Sequence, residues 1–463
     1  MNIHLVAICG TGMGSLAGLL KEAGHRVRGS DKAFYPPMSE SLKAWGIETL
    51  QGFDPGHLAP ETDLVVVGNA CRRDNPEARA AEDRGLRVMS FPQALSELFI
   101  QERRSIVVAG THGKTTTSSL LAYLLDAAGM EPSFLVGGIL QNFEKSFRFG
   151  RGDFFVVEGD EYDSAFFDKR PKFVHYRPEI AVLTSVEFDH ADIYADMDQY
   201  RAAFKTFVSL IPEGGLLVAC GDDPEVRSLA ARAGCRVVNY GLGPGAGWRA
   251  EDIAEGENGA SFVLRVDGEK RARIEVPLSG RHNVQNTLAA LAVAEHIGLP
   301  SWKASRLLGG FCGVARRMQV RGVEAGITVI DDFAHHPTEV RETVYAARRR
   351  YPQSTLVAVF EPRTNTSRRS FFQERYAESF EGADRVVLVP PFDPGKIPED
   401  QRFDSARLAA ALEKRGQQAD LCENADAVVE MLADLLQDGD VVLVMSNGAF
   451  DGIHQKLLNA FKE

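Results

Sequence analysis

The densest chemistry in the chain sits in Ala109-Gly110-Thr111-His112-Gly113-Lys114-Thr115-Thr116-Thr117. The segment follows the β-branched run Ser105–Ala109 and precedes a helical pattern, the context a phosphate-binding loop requires. Glycines let backbone N–H groups turn inward on phosphate oxygens, and the helix that follows adds its positive N-terminal end. Lys114 would set a point charge on the β- and γ-phosphates, and Thr115 would offer its hydroxyl to Mg²⁺. The loop departs from the spacing GxxxxGK[ST], because Gly110 stands too close to Gly113. The competing reading is a chance glycine turn with a solvated lysine; the strand before and the helix after argue against it.

Acidic groups follow at two more strand ends. Phe154-Phe155-Val156-Val157-Glu158 reads as a buried strand closing on a carboxylate, with Asp160, Glu161 and Asp163 behind it. Ligands collect at the C-terminal edge of a parallel sheet, and Mg²⁺ takes oxygen donors there. Alone, such a stretch would be a solvated acidic loop; downstream of a phosphate loop it reads as a metal site. Ser185-Val186-Glu187-Phe188-Asp189-His190 comes after the next apolar run, and His190 is a candidate second ligand supported by Asp189 or Glu187. A lone histidine is more often a structural hydrogen-bonding group.

A second glycine-rich turn lies near the start. Gly10-Thr11-Gly12-Met13-Gly14-Ser15 nearly matches GxGxxG, with Asp31 about twenty residues on, where a dinucleotide fold carries its ribose-binding acid. A nucleotide-dependent dehydrogenase is therefore one reading. The motif reports a diphosphate at a helix N-terminus, and a UDP-sugar carries one too. A plain strand–helix turn is the third reading.

These groups need elements to hold them. The chain has 463 residues, which at about 150 per domain means roughly three domains. Short β-branched runs alternate with longer helical patterns, which favours α/β domains with parallel sheets. We expect domains at residues 1–103, 104–317 and 318–463, with Gln101–Arg104 as a linker. Strands are expected at Ile3–Cys9, Arg26–Gly29, Leu64–Val67, Ser105–Ala109, Phe154–Val157, Ile180–Thr184 and Leu216–Ala219. Gly241–Gly259 reads as loop or hairpin outside the core, and a helix as running from about Asn283 to His296. In the last third, Ile327–Ile330, Leu356–Phe360, Val386–Val389 and Val441–Met445 read as strands, with Asp393-Pro394-Gly395 as a turn.

Composition narrows the class. Hydrophobic residues at 44% and charged residues at 25% are ordinary for a globular protein. The net charge of −12 argues against general binding of nucleic acid or anionic membrane, although a local basic pocket can still hold an anion. Six cysteines form no CxxC pair or zinc spacing and read as buried free thiols in a reducing, cytoplasmic compartment. No basic segment followed by a long apolar stretch opens the chain, and every apolar run is strand-sized. Disordered, disulfide-rich secreted and membrane-spanning classes are thereby excluded. Oligomeric state leaves no signal.

Taken together, the motifs resemble the Mur ligase family. Gly110–Thr116, Glu158-Gly159-Asp160-Glu161, Asp189-His190, Gly280-Arg281-His282-Asn283-Val284-Gln285-Asn286, Arg316-Arg317 and Asp331-Asp332-Phe333-Ala334-His335-His336-Pro337-Thr338 occur in that family's order along essentially the whole chain. Within it, Tyr35-Pro36-Pro37-Met38-Ser39, Ala165–Arg170, Lys172-Phe173-Val174-His175-Tyr176, Glu187–Asp192, Glu361-Pro362-Arg363-Thr364-Asn365-Thr366 and Met445-Ser446-Asn447-Gly448 are similar to the branch that ligates a ready-made murein tripeptide, more than to the branch that adds L-alanine. The resemblance implies a Rossmann-like N-terminal domain for a UDP-sugar, a central P-loop ATPase-like domain for ATP and a Rossmann-like C-terminal domain for a peptide. It implies ATP-dependent joining of UDP-N-acetylmuramate to L-alanyl-γ-D-glutamyl-meso-diaminopimelate, with Mg²⁺, in peptidoglycan recycling.

The resemblance also assigns residues. Gly10, Thr11, Gly12, Met13, Gly14, Ser15, Ser30, Asp31, Asn69 and His112 would meet the UDP-sugar. Gly110, Gly113, Lys114, Thr115, Thr116, His282, Asn283, Asn286, Arg316, Arg317, Asp332 and His335 would bind ATP; Thr115, Glu158 and His190 would hold the metal. Lys114, Glu158, His190, Arg317 and Asp332 are the catalytic candidates. Arg363, Asn365, Thr366, Asn447 and His454 are candidates for the peptide, arginine suiting its carboxylates, whereas Arg368 and Arg369 read as solvated. Some family members carry a carbamylated lysine; here Phe204 falls at that position and Lys205 one residue later, about 100° around a helix, so no carbamate is expected. Three readings compete with tripeptide ligation: an L-alanine ligase, the dehydrogenase, and a phosphate-loop switch. The dehydrogenase leaves Gly113–Thr117 and Glu158 unexplained, and the switch leaves Gly10–Ser15 unexplained.

Overall fold

The computed structural model describes residues 1–191, 193–393, 395 and 397–462. Asp192 of the Glu187–Asp192 stretch and Pro394 of the expected turn lie outside them. The chain divides into two compact bodies: 1–186, 198–249 and 288–307 in one, and 187–197, 250–287 and 308–463 in the other.

The first body holds one parallel sheet and most of a second, largely parallel one. In the N-terminal one the strands run in the order Glu48–Gln51, Arg26–Asp31, Asn2–Val6, Leu64–Val67, Arg87–Ser90, all parallel. Helices Thr11–Glu22 and Pro76–Asp83 follow strands Asn2–Val6 and Leu64–Val67. This is the doubly wound order, with the chain reversing direction beside the first strand. The expected run to Cys9 stops at Val6 because Ala7 adopts a left-handed backbone, φ 66°.

The second sheet places Arg104–Ala109 between Ile180–Leu183 and Phe154–Gly159, both parallel to it. Leu216–Cys220 and Arg236–Gly241 extend one side; Ser133–Leu140 and the antiparallel Lys145–Arg148 extend the other. Burial on both faces explains why the middle strands are unbroken Ile/Val/Ala/Leu runs rather than alternating ones. Arg104, read as linker, already belongs to its strand.

Gly241–Gly259 takes the hairpin alternative in part, its strand lying beside Gly259–Val266 in the sheet, but it does not stay outside the core. It contains the nine-residue strand Trp248–Gly256, whose Trp248 and Ala250 are buried. Flanking glycines and charges disguised it, since only two of its residues pack inward.

In the second body a six-stranded sheet runs Gln319–Glu324, Ile327–Asp332, Val441–Met445, Leu356–Phe360, Arg385–Leu388, Gln418–Leu421. The first pair is antiparallel and the rest are parallel. Apolar clusters cover both faces, one around Phe360, Tyr376 and Phe380, the other around Val442, Ile453 and Leu457. Helix Pro337–Arg350 starts on a proline capped by His336 and ends in three arginines, which suit the negative C-terminal end. Gly259–Val266 and Glu269–Val276 form an antiparallel hairpin. Among the described residues, no helix is long and apolar enough to cross a membrane. The six cysteines form no disulfide, but Cys235 is only partly buried and Cys312 is exposed.

Candidate functional site

Strand Arg104–Ala109 delivers the phosphate loop and helix Lys114–Ala127 leaves it. Gly110 and Gly113 take φ of 132° and 80°, which side chains rarely adopt. A side chain at Gly110 would also run into Thr184 and Ser185. The Ser185 carbonyl accepts from Thr111 N at 2.9 Å, and its hydroxyl accepts from His112 N at 3.0 Å. Lys114 Nζ donates to Gly110 O at 2.6 Å and to Glu161 Oε2 at 3.1 Å. Burial pulls the Lys114 pKa down, but the Glu161 and Asp160 carboxylates outweigh it and raise it, so the ammonium stays charged. Thr116 is buried in the helix's first turn.

Thr115 Oγ1 donates to Glu158 Oε2 at 3.1 Å. Glu158 is buried at the end of its strand, and its other oxygen accepts from Gly137 N and, at 3.4 Å, from Ser118 Oγ. A hydroxyl and a carboxylate this close are the hard oxygen donors Mg²⁺ takes, with water filling its remaining positions. Two neighbours complete the cluster, Glu161 from the acidic stretch behind Glu158 and Tyr200. Glu161 lies three residues past Glu158, a spacing that was visible. Tyr200, which joins Thr111 Oγ1 at 3.0 Å to Glu161 Oε1 at 3.1 Å, comes from a distant helix and left no local signal.

At the N-terminal sheet the glycine turn is split by burial. Gly10, Thr11 and Gly12 are exposed at the start of helix Thr11–Glu22, whereas Met13, Gly14 and Ser15 face inward. Any side chain at Gly14 would overlap Met38, and Ser15 Oγ lies 2.7 Å from Ser146 Oγ. Asp31 accepts from Cys9 N at 2.8 Å, tying the strand end to the turn. Asn69 Nδ2 donates to Asp163 Oδ1 at 3.1 Å. Ser30 is fully buried and gives its hydroxyl proton to Glu77.

The remaining candidates belong to the second body. Asp332 ends its strand, accepting from Met318 N at 2.7 Å and Ala334 N at 2.8 Å. Burial pushes its carboxyl up to about 6, against the pull of Arg317. Arg316 donates to Gly448 O at 2.7 Å, and both Arg316 and Arg317 lie on the Phe333 ring, at 5.1 and 5.2 Å from its centre. His335 sits 3.2 Å from Glu339 and 4.0 Å from Asp189. Burial raises the Asp189 pKa, but His190, His335 and His336 lower it overall. His190 and Arg316 both occupy left-handed backbone, φ 53° and 61°, a conformation non-glycine residues seldom keep without reason. His282, Asn283 and Asn286 share the first turns of helix Arg281–His296, Asn286 donating to Asn283 Oδ1 at 3.1 Å.

Among the peptide candidates, Arg363 and Asn447 stand in loops that follow the paired strand ends Phe360 and Met445. Arg363 stacks 3.6 Å from the Phe392 ring centre and leaves no room for a side chain at Gly448. Thr366 is buried, and Asn365 accepts from Arg368 at 2.8 Å. His454 lies 3.3 Å from buried Asp331, which in turn pairs with Arg316 at 3.4 Å. Arg368, expected to be solvated, is buried instead, donating to the Phe392 and Asp393 carbonyls at 3.0 and 3.1 Å. An irregular loop leaves carbonyls without ladder partners, and this guanidinium meets them. Lys205 is exposed and Phe204 buried in helix Met197–Ser209.

Comparison with known proteins matches three family models in order: the Mur ligase family catalytic domain at 2–103, the Mur ligase middle domain at 108–294, and the Mur ligase glutamate ligase domain at 316–448. The UDP-N-acetylmuramate–L-alanyl-γ-D-glutamyl-meso-2,6-diaminoheptandioate ligase of Escherichia coli K12 is 40% identical over 99% of this chain and 98% of its own. The UDP-N-acetylmuramate–L-alanine ligase of Caldanaerobacter subterraneus is 33% identical over 100% of this chain and 98% of its own. The crystal structure of a murein peptide ligase from Psychrobacter arcticus superposes with a TM-score of 0.74 at 36% identity, covering 100% of this chain and 99% of that one.

Proposed function

The chain belongs to the Mur ligase family, and from that premise we propose that it joins UDP-N-acetylmuramate to L-alanyl-γ-D-glutamyl-meso-diaminopimelate, consuming ATP in the cytoplasm. The observation that carries the substrate is the whole-length identity of 40% and 38% to two tripeptide ligases, against 33% to 36% to L-alanine ligases of similar coverage. The buried Thr115–Glu158 pair beside Lys114 supports nucleotide chemistry and disfavours a dehydrogenase, which has no use for it.

Carboxylate and amine do not condense usefully at neutral pH, so an oxygen of the acid must first become a leaving group. The lactyl carboxylate of the sugar attacks the ATP γ-phosphorus, the bond to ADP breaks, and an acyl phosphate forms. The free L-alanine amine of the tripeptide then attacks the acyl carbon, phosphate departs, and the amine loses a proton. Lys114 and Arg317 offset charge on the transferring phosphoryl group. Thr115 and Glu158 would hold Mg²⁺, with His190 as a further candidate ligand, and the ion would neutralise phosphate charge. Asp332, His335, His282, Asn283 and Asn286 are the further ATP candidates on the second body. Gly10–Gly12 and Asn69 face the sugar nucleotide; Arg363 and Asn447 receive the peptide. The domains assigned to these three substrates span 1–103, 104–317 and 318–463.

ADP release with UDP-N-acetylmuramate should be fast with tripeptide and slow with L-alanine, and Lys114→Ala should abolish both while circular dichroism stays unchanged. A preference for L-alanine would move the chain to the biosynthetic branch and leave the ligase class intact.

A further inference from the structure

The deepest charge in the N-terminal sheet has no part in the scheme above. Glu77 is wholly buried, in the first turn of helix Pro76–Asp83. Its Oε2 accepts from Ser30 Oγ and lies 3.1 Å from His4 Nε2. Its Oε1 accepts from Asp54 N at 3.1 Å and lies 2.7 Å from His57 Nδ1. His4 and Ser30 are as buried as the carboxylate. One side chain thus joins two parallel strands, the Asp54–His57 segment and a helix N-terminus. An apolar residue of similar volume would generally pack there at less cost than a desolvated carboxylate. The helix dipole and four hydrogen-bonding partners hold Glu77 in the charged form.

What the network holds is specific. Ser30 O accepts from Ile8 N at 3.0 Å, and the next residue, Asp31, accepts from Cys9 N at 2.8 Å. Ile8 and Cys9 lead directly into Gly10, the exposed start of the glycine turn. Ser30 offers no surface to a ligand; its hydroxyl is committed to Glu77 and its carbonyl to the turn.

We propose that Glu77 is a positioning residue for the sugar-nucleotide site, acting through Ser30 to hold the Ile8–Gly12 turn in register. The proposal rests on the reading of that turn as the UDP-N-acetylmuramate site. In the Glu77→Gln variant the charge is lost and one carboxylate oxygen becomes an NH₂ group, so the charge-assisted clamp is weakened without change of volume.

The test is steady-state kinetics of the full chain with UDP-N-acetylmuramate, ATP and tripeptide. Glu77→Gln should raise KM for UDP-N-acetylmuramate about tenfold, the effect of one charge-assisted hydrogen bond, with kcat and KM for ATP unchanged. Ser30→Ala, which removes the link and leaves the Glu77 carboxylate its other three partners, should give the same split, and the double variant should be no worse than either single one. An unchanged KM in a folded Ser30→Ala variant overturns the proposal, as do additive effects or an equal fall in kcat. If the wild-type chain does not turn over UDP-N-acetylmuramate, the functional reading fails instead, and the two failures are told apart.

Discussion

At the residue scale, the sharpest consequence concerns Asp332. Its carboxyl lies at about 6 in the folded protein, against an ordinary value of 3.8, because burial penalises the charge more than Arg317 relieves it. A raised acid binds its proton more tightly when folded. The stabilisation is therefore complete below the unfolded value and is lost as pH rises through about 6. Between about pH 5 and about pH 7.5, wild type should lose about 1–2 kcal/mol relative to Asp332→Asn, which cannot ionise. Urea denaturation of both at the two pH values measures this as a difference of slopes, which removes the constant cost of placing an amide against Met318 N and Ala334 N. Parallel slopes would show that Asp332 titrates as an ordinary carboxylate.

At the element scale, helix starts carry much of the site. Asp223 caps helix Pro224–Ala230, accepting from Glu225 N at 2.8 Å and Val226 N at 3.1 Å. Its other oxygen accepts from Val186 N at 2.9 Å, just past the Ser185 contacts that brace the phosphate loop. Asp223→Ala should destabilise the first body by about 1–2 kcal/mol, the size of a lost cap plus one further bond. A shifted urea midpoint with unchanged m-value reads this out; no shift would mean the cap is replaced by water at no cost. Boundaries moved where backbone rather than hydrophobicity decided them, as at Ala7, where a left-handed φ ends a strand that apolar patterning would have continued.

At the scale of the whole molecule, the charge of −12 and the proposed ligands have the same sign. Binding of ATP, UDP-sugar and peptide must therefore be local, through loop N–H groups, Lys114 and the arginines, and no long-range field favours polyanions. Fluorescence anisotropy of labelled duplex DNA should stay flat as protein is added at physiological ionic strength; a salt-dependent rise would reveal a basic face that the net charge conceals.

Much of this was legible in the linear chain. Gly110, Gly113 and Lys114 stand at fixed short spacings because a phosphate loop is one strand–turn–helix unit, whose chemistry is local. The parallel α/β class followed from the same cause, since strands buried on both faces must be unbroken apolar runs. Tertiary structure alone decided what depends on distant segments meeting. It put Tyr200 on Glu161, made Arg368 a buried strut, and separated exposed Gly10–Gly12 from buried Met13–Ser15. It also turned Ser30 away from any ligand and toward Glu77, 47 residues further on. A side chain's type is written in the sequence, but its desolvation and its partners arise only when the sheet brings strands together.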